Sequence, residues 1–140
     1  MTRVNCVPVS ELSRKNLIAE YVQLPRIFLH TGNKIKRGID PALYIITSEY
    51  TTTIGNVSFF YNKLVWVMDR MLQIVEELHR RKIVKKMPEI LSFYHGCLIP
   101  EHLLNDWTPT EKDMAINRIV LKKIDSQPPR PKRPVMKWTD

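Results

Sequence analysis

A chain of 140 residues, 44% hydrophobic, with 22 Lys/Arg against 14 Asp/Glu and a formal charge of +8, has room for one hydrophobic core and not for two. That composition excludes a disordered chain, and no apolar run approaches the about 18 residues of a membrane-spanning helix. The opening MTRVNCVPVSELSRK is too polar for a secretory signal, and Cys6 and Cys97 are too few for a disulfide framework, so both are expected to be reduced thiols of an intracellular protein.

The first helix is expected from about Glu11, with Ser10 as N-cap, to about Leu29. Leu17, Tyr21, Leu24 and Phe28 step by four, three and four, which makes one apolar face. Pro25 falls inside that pattern; it removes an amide donor and is expected to kink the helix, leaving the Tyr21 carbonyl free. ALYIITSEYTTTI (Ala42–Ile54) reads as a strand. Gly55 and Asn56 then mark a loop and cap before the second helix, which carries Val57, Tyr61, Leu64, Met68, Met71, Val75 and Leu78 at alternating four-three spacing. This predicts an amphipathic helix of about 25 residues. Its seam is aromatic and Met-rich, which favours a core helix over a coiled coil.

Residues 87–107 are apolar but broken by Pro88, Gly96 and Pro100, and read as packed turns and short helix. The third helix opens on TPTE, with Thr108 as N-cap, Pro109 at the first helical position and Glu111 completing a capping box. Met114, Leu121 and Ile124 face inward, while Arg118 and Lys122 share one side with Lys123 beside them. Four prolines between Pro128 and Pro134 forbid a helix and favour an extended arm of polyproline II type. The chain thus divides into a helical domain, 1–126, and a basic Pro-rich arm, 127–140.

Basic residues gather at HRRKIVKK (79–86) and from Arg118 to Lys137, a segment with seven Lys/Arg against one acid, Asp125. Charge of this sign and density predicts a polyanionic partner, and nucleic acid is the commonest. Ordinary catalytic constellations are missing. His30, His79, His95 and His102 are scattered, and no Cys/His group has metal-ligand spacing. Four ungrouped glycines exclude a phosphate loop, and nothing suggests a nucleophile elbow. Neither a metal nor a cofactor is expected.

What remains is the N-terminus. A free α-amine has a pKa of about 7.7–8.0 against about 10.4 for lysine, so much of it is nucleophilic at neutral pH. Such an amine, attacking a sugar C1′ to form a Schiff base, is the chemistry of a glycosylase that also nicks the strand. It needs a carboxylate to stabilise the cationic sugar and assist proton transfer. Thr2 is small, so removal of Met1 is ordinary.

The motifs MTRVN, VSEL (Val9–Leu12), LxAEY (Leu17–Tyr21), LPR (Leu24–Arg26) with Phe28, FFYNKL (Phe59–Leu64) and the series from Ile99 to Arg118 resemble the pyrimidine-dimer DNA glycosylase/AP lyase family of T-even phages and algal viruses. The resemblance runs almost end to end. It implies an all-α fold of three main helices in a single compact domain, with the N-terminal segment threaded between them and the Thr2 amine at a basic concave face. It also implies duplex DNA, kinked at a cyclobutane dimer with one base flipped out, as the partner; extruding a base costs a few kcal/mol, less at damage.

Carried over by residue, Thr2 matches the nucleophile, and Arg3 and Arg26 match phosphate-contacting arginines. Val22 and Gln23 stand where the family has an arginine and its catalytic glutamate, and Asn16 stands where it has a histidine. Glu20, three residues before Gln23, belongs to the family pattern in its own right, and is expected in a buried structural ion pair or cap rather than as a substitute acid. Candidate phosphate contacts are Arg3, Arg14, Lys15, Arg26, Arg118, Lys122 and Lys123, with Arg130, Lys132 and Arg133 in the arm.

Three readings follow. The first is a monomeric duplex-DNA binder whose catalysis is lost or strongly reduced. The second is a working glycosylase/AP lyase on UV-damaged DNA, using Thr2. The third is a virion or assembly component that reuses the fold for protein contacts through the arm. None calls for a membrane.

Overall fold

The computed structural model describes residues 3–44, 46–83 and 85–128. Thr2 and the arm residues Arg130, Lys132 and Arg133 lie outside the described residues. The chain is all-α, with three helical rods: α1 (Arg14–Gln23) continued by α2 (Pro25–Lys36), then α3 (Leu64–Arg80), then α4 (Glu111–Ser126). Single 3-10 turns join them.

The first rod bends where the sequence requires. Leu24 keeps helical angles (φ −60°, ψ −40°), and its N–H still donates to the Glu20 carbonyl at 2.8 Å. Pro25 has no N–H to give, and Ile27 bonds back to Leu24 at 3.1 Å instead, so the ladder lapses for one turn. The N-cap is Ser13, not Ser10: Val9–Glu11 form a 3-10 turn, and Ser13 Oγ accepts the Asn16 N–H at 3.3 Å. The rod also runs past Leu29 to Lys36, where Gly38 (φ 74°) lets the Ile39 N–H reach back to the Lys34 carbonyl at 2.9 Å. Along its length α2 lies against the 3-10 turn Ile90–Tyr94. A Cβ on Gly32 would sit 2.4 Å from the Phe93 carbonyl oxygen, so this crossing needs a glycine.

α3 is shorter than its periodicity predicts, at 17 residues from Leu64. The stretch before it winds as a 3-10 turn, Ser58–Phe60, because Phe59 and Phe60 must both enter the aromatic cluster with Tyr50, Trp66 and Trp107. At its other end Lys82 takes the left-handed conformation (φ 63°). The N–H groups of Lys82 and Ile83 then close onto the carbonyls of His79 and Leu78 at 2.9 and 2.8 Å, a Schellman cap built without glycine. Beside it Glu77 binds Arg80 and Arg81, which holds its carboxyl down at about 2.

The capping box of α4 is formed by Thr110 and Asp113, two residues later than expected. The predicted strand over Ala42–Ile54 is a correction. Among the described residues no strand forms, and Pro41–Leu43 is a 3-10 turn capped by the Asp40 carboxylate. Leu43 and Ile54 are 80% and 96% exposed; with no neighbouring strand to pair, β-propensity had nothing to act on.

The N-terminal segment is threaded through the middle of the helices. Val4, Asn5, Cys6 and Val7 are all buried, yet their extended backbone has no sheet partner. Side chains serve instead. Asn56 accepts from the Val4 N–H at 2.8 Å and donates to the Val4 carbonyl at 3.2 Å, and the Tyr50 hydroxyl donates to that carbonyl at 2.7 Å. Asn117 Oδ1, from α4, accepts the N–H groups of Cys6 and Val7 at 2.8 and 3.2 Å, while its Nδ2 donates to Asn5 Oδ1. Asn56 was expected to cap a helix; it holds this extended segment.

Two outcomes test these assignments. Asn117→Leu orphans two buried amides and one buried amide oxygen, and is expected to destabilise the chain by about 3–5 kcal/mol in urea unfolding. Lys82→Gly relieves left-handed strain at the α3 cap and is expected to stabilise by about 1 kcal/mol, read as a rise in melting temperature.

Candidate nucleic-acid site

α1 positions the site because it is buried on one side and open on another. Leu17, Leu24 and Glu20 are buried, while Lys15 and Ala19 are exposed and Gln23 is half-buried. Between α1 and α4 lies a pocket of about 190 Å³ lined by Arg3, Asn5, Lys15, Asn16, Glu20 and Gln23, with Leu121 and Ile124 as its apolar wall. Five of the sequence-predicted residues thus share one cavity: Arg3, Lys15, Asn16, Glu20 and Gln23. Arg3 is the residue after Thr2.

Glu20 is the sole carboxylate lining that pocket among the described residues, and it is already engaged. Arg70 of α3 donates to it twice, Nε to Oε2 at 2.7 Å and Nη2 to Oε1 at 3.1 Å, and Asn5 Nδ2 donates to Oε1 at 2.8 Å. Arg70 and Glu20 are 3% and 1% exposed. The pair is therefore an internal tie, and removing either partner alone strands a buried charge at a cost of about 3–5 kcal/mol. Arg70 also donates to the Val7 carbonyl, so one guanidinium joins α1, α3 and the N-terminal segment.

Arg3 has the opposite character. Its Nε is buried and has no hydrogen-bond partner. A buried donor left open at a pocket wall is a place for an acceptor to arrive. Cys6, buried nearby on the threaded segment, is no competing nucleophile, because burial pushes its thiol up to about 12.

Asn16 joins the two helices at the pocket rim. Its Nδ2 donates to Asp125 Oδ1 at 3.0 Å, and Ser13 Oγ donates to the same oxygen at 3.1 Å. The first turn of α1 therefore meets the last turn of α4. Opposite dipole ends face each other there, and Asp125 sits at the positive one. This junction brings Arg14 and Lys15 to the same end of the molecule as Lys122 and Lys123, all four exposed.

The other candidates are placed differently. Arg118 and Lys122 line a neighbouring cleft of about 630 Å³ with Glu11 and Asp125, which shares Leu121 with the pocket. Arg118 is bound by Glu11 through Nη2 and Nε at 3.1 and 3.2 Å, so the proposed phosphate contact begins with a carboxylate on it. Val22 is 52% exposed and does not line the pocket. Arg26 is exposed on the first turn of α2.

Sequence reasoning missed Arg70, Asn117 and Asp125. Arg70 carried a signal, a charge beside Met71 on the most apolar helix; Asn117 carried none, standing one residue from a run of solvent-facing cations. Among the described residues no group of three His, Cys, Asp or Glu side chains is placed to hold a metal, and no helix is long and apolar enough to cross a membrane.

A family model for pyrimidine dimer DNA glycosylases matches residues 1–91, which include α1, α2, α3 and all of the pocket but its α4 wall. That match spans nearly two thirds of the 140 residues, so the chain belongs to the pyrimidine dimer DNA glycosylase family, whose partner is DNA.

Proposed function

We propose that this chain binds duplex DNA on the glycosylase scaffold and has lost, or strongly reduced, the base-excision chemistry. The observation that carries this reading is the charge inventory of the pocket. Its cations, Arg3 and Lys15, face it without a carboxylate of opposite duty, because Glu20 is consumed by Arg70 at 2.7 Å and the next position along α1 that lines the pocket is Gln23.

Excision through the Thr2 amine builds positive charge on the sugar, first as the glycosidic bond breaks and then as the iminium forms. A carboxylate at position 23, where the family places its catalytic glutamate, stabilises that charge. A glutamine offers the same hydrogen-bonding shape with no charge. Losing a preorganised charge costs several kcal/mol of barrier, about a thousandfold or more in rate. Val22 and Asn16 stand in place of an arginine and a histidine, so two groups able to carry positive charge are absent as well, one at the pocket rim and one on the exposed face of α1 beside it. The ground-state affinity for phosphate survives, since it rests on Arg3 with its open Nε, Lys15, Arg14, Arg26, Lys122 and Lys123.

Family membership also favours a competing reading, a working glycosylase/AP lyase acting on UV-damaged DNA through Thr2. The two part in one assay. On UV-irradiated supercoiled plasmid the wild-type chain is expected to nick about a thousandfold more slowly than an active family member, and the Gln23→Glu, Val22→Arg double variant to recover much of the rate. Wild-type nicking at the active relative's rate, with a borohydride-trapped adduct on abasic DNA, rejects the inactive reading. Binding is tested separately by titrating a duplex oligonucleotide at several salt concentrations. Each phosphate contact adds about 0.9 to the slope of log affinity against log salt, so Arg3→Ala is expected to weaken binding and flatten that slope by about 0.9. An unchanged slope removes Arg3 from the contact set.

A further inference from the structure

Beside the family pocket, across Leu121, lies the wider cleft of about 630 Å³. Val7 and Leu121 form its apolar floor, and its charged groups are Glu11, Arg118, Lys122 and Asp125. Asp125 is engaged by Asn16 and Ser13 at 3.0 and 3.1 Å. Lys122 has no ion-pair partner among the described residues. Arg118 differs from it. Its Nη2 and Nε donate to Oε1 and Oε2 of Glu11 at 3.1 and 3.2 Å. Of the candidate phosphate contacts among the described residues, Arg118 alone is held by a carboxylate.

Each element that this pair joins is anchored without it. Glu11 ends the 3-10 turn Val9–Glu11, and its N–H donates to the Pro8 carbonyl at 3.0 Å. Arg81 of α3 donates to the Val9 and Ser10 carbonyls at 3.4 and 3.3 Å, and Val7 and Leu12 on either side of the turn are buried. On α4, Arg118 follows Asn117, which binds the threaded segment, and Leu121 is buried one turn on. Both charged side chains are nearly half exposed. An ion pair so exposed adds little to stability, so it opens easily and the fold stays intact.

A guanidinium that grips a carboxylate through two N–H bonds grips a phosphate diester in the same way. The cleft gives such a group room, and Lys122, four residues on along α4, lines it too. We infer that Glu11 is a built-in competitor of the DNA backbone: it occupies Arg118 in the free protein, and a backbone phosphate replaces it there on binding. The inference rests on the DNA-binding reading proposed above and adds to it a residue that opposes binding. Because its turn is anchored, Glu11 stays beside Arg118 after the exchange, and a duplex gains this contact only against a carboxylate held in place.

The affinities of four forms of the full chain for one duplex oligonucleotide, at one salt concentration, test the inference: wild type, Glu11→Gln, Arg118→Ala, and both changes together. Glu11→Gln is expected to bind about threefold or more tighter than the wild type. Most of that gain is expected to vanish when Arg118→Ala is also present, so that the two changes are not additive. An equal gain with and without Arg118 reports only the loss of one negative charge near the DNA, and overturns the inference. So does a Glu11→Gln form that binds no tighter than the wild type, or one whose melting temperature falls steeply, which makes the pair a structural tie. If none of the four forms binds duplex DNA, the DNA-binding reading falls and this inference with it; if the wild type binds and the changes are additive, only the role of Glu11 falls.

Discussion

An extended segment buried without a sheet is the constraint on which this protein rests. Val4 to Val7 pass through the interior with helices and a loop around them and no strand beside them, and a helix has no backbone groups to spare for them. Three side-chain devices supply the missing ladder: Asn56 with Tyr50 at Val4, Asn117 at Cys6 and Val7, and Arg70 at the Val7 carbonyl. An amide side chain suits the task because it offers both a donor and an acceptor, as a neighbouring strand does. The three devices come from the loop before α3, from α4 and from α3. Burial of the segment therefore depends on elements from across the fold, and the position of Arg3 at the pocket follows from it.

The same network explains why the pocket's lone carboxylate is silent. Glu20 could be left ionised in the interior only with a partner, and Arg70 meets that need while Asn5 fills the remaining acceptor site. Its charge is spent on architecture. A catalytic carboxylate must be the reverse, held by the fold yet with its charge directed at the substrate. On α1 position 20 carries the structural duty, and the proposed function assigns the chemical one to position 23, one turn on. Under the reading proposed above only the structural one keeps its acid, so stability is preserved while the chemical charge goes.

How much of this was legible depended on what each residue's partner was. The apolar faces of α1 and α3 were readable because burial follows periodicity, and the Pro25 bend was readable because proline's missing donor is a local fact. The caps of α1 and α4 slipped by two or three residues, since Ser10 and Ser13, or Thr108 and Thr110, are equivalent locally and only the docking of the preceding turn chooses between them. The strand predicted over 42–54 failed because β-branched residues need a pairing edge. Arg70 stood out as a charge on an apolar helix and Asn56 as a cap, but their partners, like those of Asn117, were not readable: each acts on backbone or charge far away in sequence, 50 residues for Arg70 to Glu20 and 111 for Asn117 to Cys6. Residue type alone carries no trace of a distant partner.

The junction of α1 and α4 fixes the geometry of the pocket rim. Asn16 spans the pocket rim to Asp125 at 3.0 Å, with Ser13 on the same oxygen. A histidine at that position would bring a titratable ring; asparagine brings an amide that stays neutral and donates to the Asp125 carboxylate. The amide adds no charge of its own to the rim, and the contact holds Lys15 and Lys122 on the same side. Gln23 follows the same rule one turn past Glu20, hydrogen-bonding shape without charge. Under the proposed function, residues 16 and 23 each keep a group that fixes position and carry none that changes charge. That is the arrangement expected where binding to a polyanion is retained and proton transfer is not.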